Sequence, residues 1–233
     1  MGALVVTTNE DEIPGGIDAE RMTTIIEADQ SHRHTMHLHN TSKDMFLFCL
    51  SLFRNMHTLL IYFSAHGCQT PNHMPCFWLK DGTMVNLNEI LAHVPGIPYV
   101  FIIVDACRVT KSLWLRNLDM PTTSQNLMLL FACPKGDKAY ADASEGSAFT
   151  KLLYDVYEDF MKENRTLDLM NRSGFINFAT LVALISGDEI SPKFYASRSV
   201  RNAYSKKIDL LRSITKQTQD SVIATRLGFN ETC

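Results

Sequence analysis

Several features are scarce in this sequence, and each absence narrows what the protein can be. No block of five or six like charges occurs and the formal net charge is −3, so neither nucleic acid nor a membrane is expected as a partner. No apolar run approaches the roughly 18 residues of a membrane-spanning helix, and no basic leader of a signal peptide is present. Six cysteines are spread over 233 residues, which favours thiols over a disulfide framework. We therefore expect a cytoplasmic protein.

The chain contains enough apolar residues for one sizeable core. It is 45% hydrophobic and 20% charged, and strand-like apolar runs alternate with helix-like segments. This alternation predicts an α/β fold with a mostly parallel central sheet of about six strands, flanked by helices on both faces. The predicted strands are 4–8, 34–39, 58–64, 99–104, 127–132 and 193–199, and a hairpin is predicted at 77–85. The predicted helices are 18–28 (with Asp18 near its N-cap), one opening at 41–44, 87–94, 147–164 and 178–186, followed by a polar, partly helical tail.

Two of the predicted strands run directly into reactive residues. Strand 58–64 is followed by His66 and Gly67, and strand 99–104 by Cys107. Ligands of open parallel sheets bind outside the carboxyl ends of the strands, so neighbouring strands would bring His66 and Cys107 into one crevice. A histidine can take the proton of a thiol and so activate it as a nucleophile. The backbone N–H groups of Gly67 and Cys107 would then bind the oxyanion of a tetrahedral intermediate. Either side chain alone is more often structural.

Short motifs around these residues resemble those of caspases. Residues 64–69 (SAHGCQ) resemble the caspase histidine motif, and residues 105–108 (DACR) resemble the nucleophile motif Gln-Ala-Cys-Arg-Gly. The segments 17–19, 41–45 and 146–149 resemble the starts of caspase helices, so that the resemblance covers roughly residues 3 to 200. It implies a caspase fold and a cysteine endopeptidase with His66 and Cys107 as its catalytic dyad. The interval of 41 residues between them is shorter than the roughly 50 expected of caspases.

The predicted P1 pocket departs from the caspase pattern. Caspases cut after aspartate by means of two arginines and the glutamine of the nucleophile motif, but Asp105 stands at the glutamine position. An ungapped alignment sets Glu12 and Ala141 at the arginine positions, and Asp142 or Asp137 would add to the acidic wall. The resemblance therefore implies cleavage after arginine or lysine, as in paracaspases and metacaspases. The alternative for Glu12 and Asp142 is that they are solvated loop charges.

The resemblance also divides the chain and suggests how it is regulated. Residues 1–108 correspond to a large subunit, 127–200 to a small subunit, and 201–233 to a C-terminal extension. Residues 109–126 form a linker that is a possible processing site, either by self-cleavage at Lys111 or Arg116 or by a caspase at Asp119. Caspases dimerise through their last strand, which implies a homodimer through 193–199.

No cofactor or metal is predicted, and two other functions stay open. Metacaspases often need calcium and paracaspases do not, and no ligand constellation here settles the point. Cys68, His73 and Cys76 have poor spacing for zinc, and Cys133 is interpreted as structural. The short interval from His66 to Cys107, together with Val109 in place of the caspase glycine, leaves open a pseudoprotease that regulates another protease. The second alternative is an aspartate-specific caspase.

Overall fold

The computed structural model describes residues 1–10, 13–29, 34–69, 74–107, 125–133, 138–142, 144–163, 169, 171–186, 192–210 and 213. Among these residues six strands form the central sheet: β1 (Gly2–Thr7), β2 (His34–His39), β3 (Thr58–Ser64), β4 (Tyr99–Asp105), β5 (Asn126–Phe131) and β6 (Lys193–Ala196). The helices are α1 (Gly15–Glu27), α2 (Lys43–Leu52), α3 (Leu87–His93), α4 (Ala148–Lys162), α5 (Arg172–Ile185) and α6 (198–210).

The sheet has the order β6-β5-β4-β3-β1-β2. All neighbouring strands pair in parallel except β6, which runs antiparallel to β5 at one edge. Strands β3 and β4 lie in the middle, and almost every residue of both is buried because helices cover both faces. The predicted α/β fold with a mostly parallel sheet of six strands is therefore confirmed.

The two faces of the sheet have separate cores. Helices α1, α4 and α5 cover one face with a cluster that includes Met22, Leu153 and Phe175. Helices α2 and α3 cover the other face, where Phe46 and Ile90 belong to a second cluster. Helices thus flank the sheet on both sides, and the carboxyl ends of its strands stay accessible between them.

A side ribbon of three short antiparallel strands follows β3. It consists of Gly67–Gln69, Pro75–Trp78 and Met84–Asn86. The predicted hairpin at 77–85 corresponds to the second and third of these strands, and its turn contains Gly82 at a φ of 72°. Two-residue ribbons also pair Asn9–Glu10 with Ile13–Pro14 and Ala141–Asp142 with Gly146–Ser147.

Several predicted boundaries differ from the observed ones. Helix α5 begins at Arg172, six residues before the predicted start, because the Asn171 side chain accepts the Gly174 N–H at 2.8 Å and caps a polar first turn. Strand β6 ends at Ala196, since the Ser197 carbonyl accepts a hydrogen bond from Arg201 and so opens α6. Helix α1 begins at Gly15, which puts Asp18 inside the first turn rather than at the N-cap.

The predicted linker 109–126 is too long at its C-terminal end. Asn126 opens β5, and the buried Gln125 donates through Nε2 to the carbonyls of Val94 at 2.5 Å and Ile97 at 3.0 Å. These contacts anchor the start of β5 beside the loop that precedes β4. Residues 109–124, with Lys111, Arg116 and Asp119, lie outside the described residues. In the part of the chain that is described, no helix has the length and hydropathy to cross a bilayer.

Candidate active site

The two predicted catalytic residues follow the ends of adjacent strands. Strands β3 and β4 pair in parallel up to Ser64 and Asp105, and the Ala65 N–H donates to the Asp105 carbonyl at 3.3 Å. His66 and Cys107 therefore each lie two residues beyond the last pair. Both are half-buried, and both line one cleft of about 560 Å³. The strand register thus brings an imidazole and a thiol to the same opening, as the strand ends in the sequence predict.

Gly67 is packed tightly against the backbone that carries Cys107. A Cβ at this position would lie 2.5 Å from the Cys107 carbonyl oxygen and 2.7 Å from the Ala106 Cβ, so only glycine fits. The backbone N–H of Trp78 donates to the His66 carbonyl at 2.9 Å. In an antiparallel ladder this makes Gly67 part of a non-hydrogen-bonded pair, whose N–H points away from the partner strand. The Gly67 N–H therefore does not pair with the neighbouring strand that contains Phe77.

Cys107 and Cys133 both follow strand ends, but they lie in different surroundings. Cys133 is buried at the end of β5 and its Sγ contacts the Ala106 carbonyl at 3.5 Å, which agrees with the structural interpretation. The Cys107 Sγ lies 3.9 Å from the Ala139 carbonyl oxygen, on the wall of the cleft formed by residues 138–142. Of the two thiols, only Cys107 lines the cleft.

Two buried carboxylates, Asp18 and Asp105, also line the cleft. Asp105 accepts a hydrogen bond from the Thr150 hydroxyl at 2.6 Å. Asp18 accepts one from the Ser64 hydroxyl at 2.8 Å and one from the Ser147 N–H at 2.9 Å. Burial, and to a smaller extent the nearby Asp18 carboxylate, raises the pKa of Asp105 from 3.8 to about 7. Burial likewise raises the pKa of Asp18, against its hydrogen bonds and the charge of Arg21.

Asp18 is a cleft residue that the sequence analysis missed. It lies in the first turn of α1 and reaches the cleft because Gly146 leaves room for it: with φ of 83°, a Cβ there would lie 2.6 Å from Asp18 Oδ1. Arg21 holds the same loop by donating to the Glu145 carbonyl. Residues 18, 64, 105 and 147 are far apart in sequence, so no local pattern could have indicated that they meet.

The other residues of the predicted P1 pocket do not join this carboxylate pair. Asp142 lines the cleft, but it is exposed and binds its own turn, accepting hydrogen bonds from the N–H groups of Ser144 at 2.8 Å and Glu145 at 3.2 Å. A hydrogen bond from the Ser144 hydroxyl, together with these two N–H groups, lowers the pKa of Asp142. Ala141 lines the cleft too, whereas Glu12 and Asp137 lie outside the described residues. The described acidic lining therefore consists of Asp18, Asp105 and, at the exposed rim, Asp142.

No cluster of three or more His, Cys, Asp or Glu side chains suited to a metal occurs among the residues whose positions are described. Cys68 and Cys76 of the predicted loose trio are neighbours in the side ribbon, with their Sγ atoms 3.6 Å apart. His73 lies outside the described residues.

Comparisons with known proteins agree with this architecture. A crystal structure of caspase-1 from Spodoptera frugiperda superposes with a TM-score of 0.57 at 11% identity, covering 83% of this chain and 85% of that one. A crystal structure of a Geobacter sulfurreducens protein superposes with a TM-score of 0.61 at 12% identity, covering 84% and 94% of the two chains. No curated protein sequence matches significantly. The family model of the caspase domain matches residues 4–177. The chain therefore belongs to the caspase domain family, whose members are cysteine peptidases.

Proposed function

We propose that this protein is a cysteine endopeptidase that cleaves peptide bonds after arginine or lysine, with Cys107 as nucleophile and His66 as general base. The observation that carries the proposal is the cleft itself. His66 and Cys107 line it from the ends of two paired strands, and two buried carboxylates line it with them.

The chemistry follows from the positions of these groups. His66 takes the thiol proton of Cys107, and the sulfur attacks the carbonyl carbon of the scissile bond. The N–H groups of Gly67 and Cys107 stabilise the oxyanion of the tetrahedral intermediate. His66 then gives the proton to the leaving amine, and an acyl-enzyme remains on Cys107. A water molecule, deprotonated by His66, releases the acid product and restores the thiol.

The preference for a basic P1 side chain rests on the charge of the cleft. Asp18 and Asp105 are buried, and the described cationic side chain of the lining, Lys138, is exposed. A guanidinium or ammonium group near both carboxylates would form ion pairs in a site of low dielectric constant, while an aspartate side chain would be repelled. The cation would also favour the ionised form of Asp105, so that binding would release a proton near neutral pH.

The test is a substrate series that varies only P1. Peptides with arginine, its neutral isostere citrulline, and aspartate at P1 should be cleaved in that order of kcat/KM. Cys107→Ala should remove turnover, and Asp105→Asn should lower the arginine-to-citrulline ratio more than it lowers citrulline cleavage. Cys49→Ala is the matched thiol control, since Cys49 is buried on α2 away from the cleft. Cleavage that persists without Cys107, or a preference for aspartate, would contradict the proposal.

A covalent probe separates an enzyme from a pseudoprotease. An acyloxymethyl ketone with P1 arginine should label Cys107 in the unmodified chain and leave the Cys107→Ala variant unlabelled. A chain that binds but never reacts would be a regulator of another protease. Both assays are to be run with and without calcium, since no cofactor is part of the proposal.

The assembly and processing of the chain belong to the same proposal. Strand β6 is an edge of the central sheet, and two copies could pair through it to form a homodimer. Analytical sedimentation of the chain with and without a P1-arginine inhibitor would measure whether this homodimer forms. Mass spectrometry of the purified protein would detect cleavage at Lys111 or Arg116 by the enzyme itself, or at Asp119 by an aspartate-specific protease.

A further inference from the structure

Three sulfur atoms lie in contact on the side ribbon, directly beyond His66. The Cys68 Sγ is 3.6 Å from the Cys76 Sγ and 3.7 Å from the Met84 Sδ. Cys68 and Cys76 are directly opposite each other on neighbouring antiparallel strands, and both are in thiol form. Neither cysteine has a role in the proposed hydrolysis, so the pair needs a separate explanation.

The backbone at this position suits a disulfide. Because Gly67 and Phe77 form a non-hydrogen-bonded pair, Cys68 and Cys76 form the next, hydrogen-bonded pair, whose Cα atoms are about 5.5 Å apart. Disulfides are found at Cα separations of about 4.4–6.8 Å. The sulfur atoms need to approach from 3.6 Å to about 2.05 Å, which side-chain rotation with a small strand shift can supply.

We propose that Cys68 and Cys76 form a redox-active dithiol that closes to a disulfide by exchange with a small-molecule disulfide such as oxidised glutathione. Cys68 is half-buried, whereas Cys76 is 1% exposed, so exchange begins at Cys68. Its thiolate attacks the small disulfide and expels one thiolate, leaving a mixed disulfide on Cys68. The Cys76 thiolate attacks the Cys68 sulfur and expels the second thiolate. The protein loses two electrons and two protons, and the small disulfide is reduced to two thiols.

Closure of the disulfide acts on the proposed dyad through Gly67, which separates Cys68 from His66. Gly67 is packed tightly against the Cys107 carbonyl. A strand shift at Cys68 therefore changes the placement of His66 relative to Cys107. A displacement of about 1 Å in an active site can cost about a hundredfold in rate. We expect kcat to fall between about tenfold and a hundredfold on oxidation. This consequence rests on the proposed function, whereas formation of the disulfide does not.

The experiment equilibrates the full chain in glutathione buffers from reducing to oxidising, followed by alkylation and peptide mapping. Trypsin releases both cysteines in the single peptide 55–80. The oxidised chain should give this peptide two hydrogens lighter and resistant to alkylation, and dithiothreitol should reverse the change. In Cys76→Ser, glutathione should remain on Cys68. In Cys68→Ser, the buried Cys76 should stay unmodified, and Cys49→Ser should behave as the unmodified chain.

The outcomes distinguish the two proposals. Absence of the lighter peptide at the oxidising end, or pairing of Cys68 with a cysteine other than Cys76, overturns the dithiol. A disulfide that forms without lowering kcat overturns its effect on the dyad. A reduced chain that cleaves no P1 substrate refutes the proposed function, and the peptide map still decides whether the dithiol exists.

Discussion

The two faces of the central sheet carry different kinds of core. Phe63 and Tyr62 are neighbours on β3 and point to opposite faces. Phe63 stacks on Phe77 with ring centroids 4.3 Å apart, within a cluster of buried apolar side chains. The Tyr62 hydroxyl instead lies 2.5 Å from that of Thr150, which donates in turn to Asp105. The same strand thus contributes apolar packing to one face and a polar chain that leads to the cleft on the other.

Because of this difference, the α2–α3 face contributes mainly to the stability of the fold, while the α1–α4 face also contributes groups to the cleft. Apolar burial on the α2–α3 face stabilises the fold without itself titrating, and the ion pair that joins these two helices, Lys43–Glu89, is partly exposed. The α1–α4 face holds the buried Asp18 and Asp105, whose raised pKa values make the folded state sensitive to pH. The α1–α4 face therefore supplies the cleft with a carboxyl group, Asp105, whose charge changes near neutral pH. Ionisation of this buried group lowers the stability of the folded state.

The largest effect on stability is expected from Phe63→Ala. The substitution leaves a cavity between Phe46 and Phe77 and should lower the free energy of unfolding by about 3–5 kcal/mol. The loss should be equal at pH 5 and pH 8 when measured by urea denaturation. A loss that varies strongly with pH would mean that the two faces are not independent.

Asp105→Asn tests the opposite property, a dependence of stability on pH. The folded state binds the Asp105 proton more tightly than the unfolded state, so the stability that this group contributes is present below pH 4 and is lost as the pH rises to about 7. The variant, relative to the unmodified chain, should gain stability across this window, by at most roughly 4 kcal/mol at about 1.4 kcal/mol per pKa unit. Urea denaturation of both proteins between pH 4 and pH 8 measures the difference. A constant difference would contradict the raised pKa.

Gly67→Ala should have a larger effect on turnover than on the stability of the fold. The added Cβ collides with backbone at Cys107, which costs about 1–3 kcal/mol in stability. Turnover should fall by about a hundredfold, since the collision displaces the nucleophile. Gly16→Ala is the matched control, because a Cβ there has open space around it. Equal turnover of the two variants would refute the tight contact.

The smallest effect is expected from Tyr62→Phe. It removes one buried hydroxyl while Thr150 keeps its hydrogen bond to Asp105, so the free energy of unfolding should fall by about 1 kcal/mol. Thermal and urea denaturation of Tyr62→Phe and Phe63→Ala in parallel would compare the two losses in free energy of unfolding. A loss as large as that of Phe63→Ala would show that the polar chain dominates the stability of this face.

The fold was predictable because its signals are local. The runs 34–39 and 58–64 match the observed strands residue for residue, since turn and polar residues bound each apolar or alternating run. The predicted boundaries were wrong at Asn171, whose side chain caps the polar first turn of α5, and at Ser197, whose carbonyl accepts the first hydrogen bond of α6. Cys107 and His66 could be proposed together because each follows a strand with a continuous apolar middle. Their catalytic roles stay predictions.

The buried surroundings of the cleft were less predictable than its reactive residues. Asp18 reaches Asp105 only through tertiary packing of α1 against the Gly146–Ser147 strand, and no spacing in the sequence encodes that contact. The ungapped alignment instead set Glu12 and Ala141 at the arginine positions, with Asp142 or Asp137 as additions to the acidic wall. The contact between Cys68 and Cys76 depends in the same way on the register of the side ribbon.

The anchoring of Gln125 has a consequence for a chain that is cut in two. Strand β5 lies between β4 and β6, and Gln125 ties its start to the carbonyls of Val94 and Ile97. Scission anywhere in 109–124 would break the peptide backbone but none of these contacts. The C-terminal piece would remain inserted in the sheet, and the nicked protein would persist as a non-covalent pair of fragments.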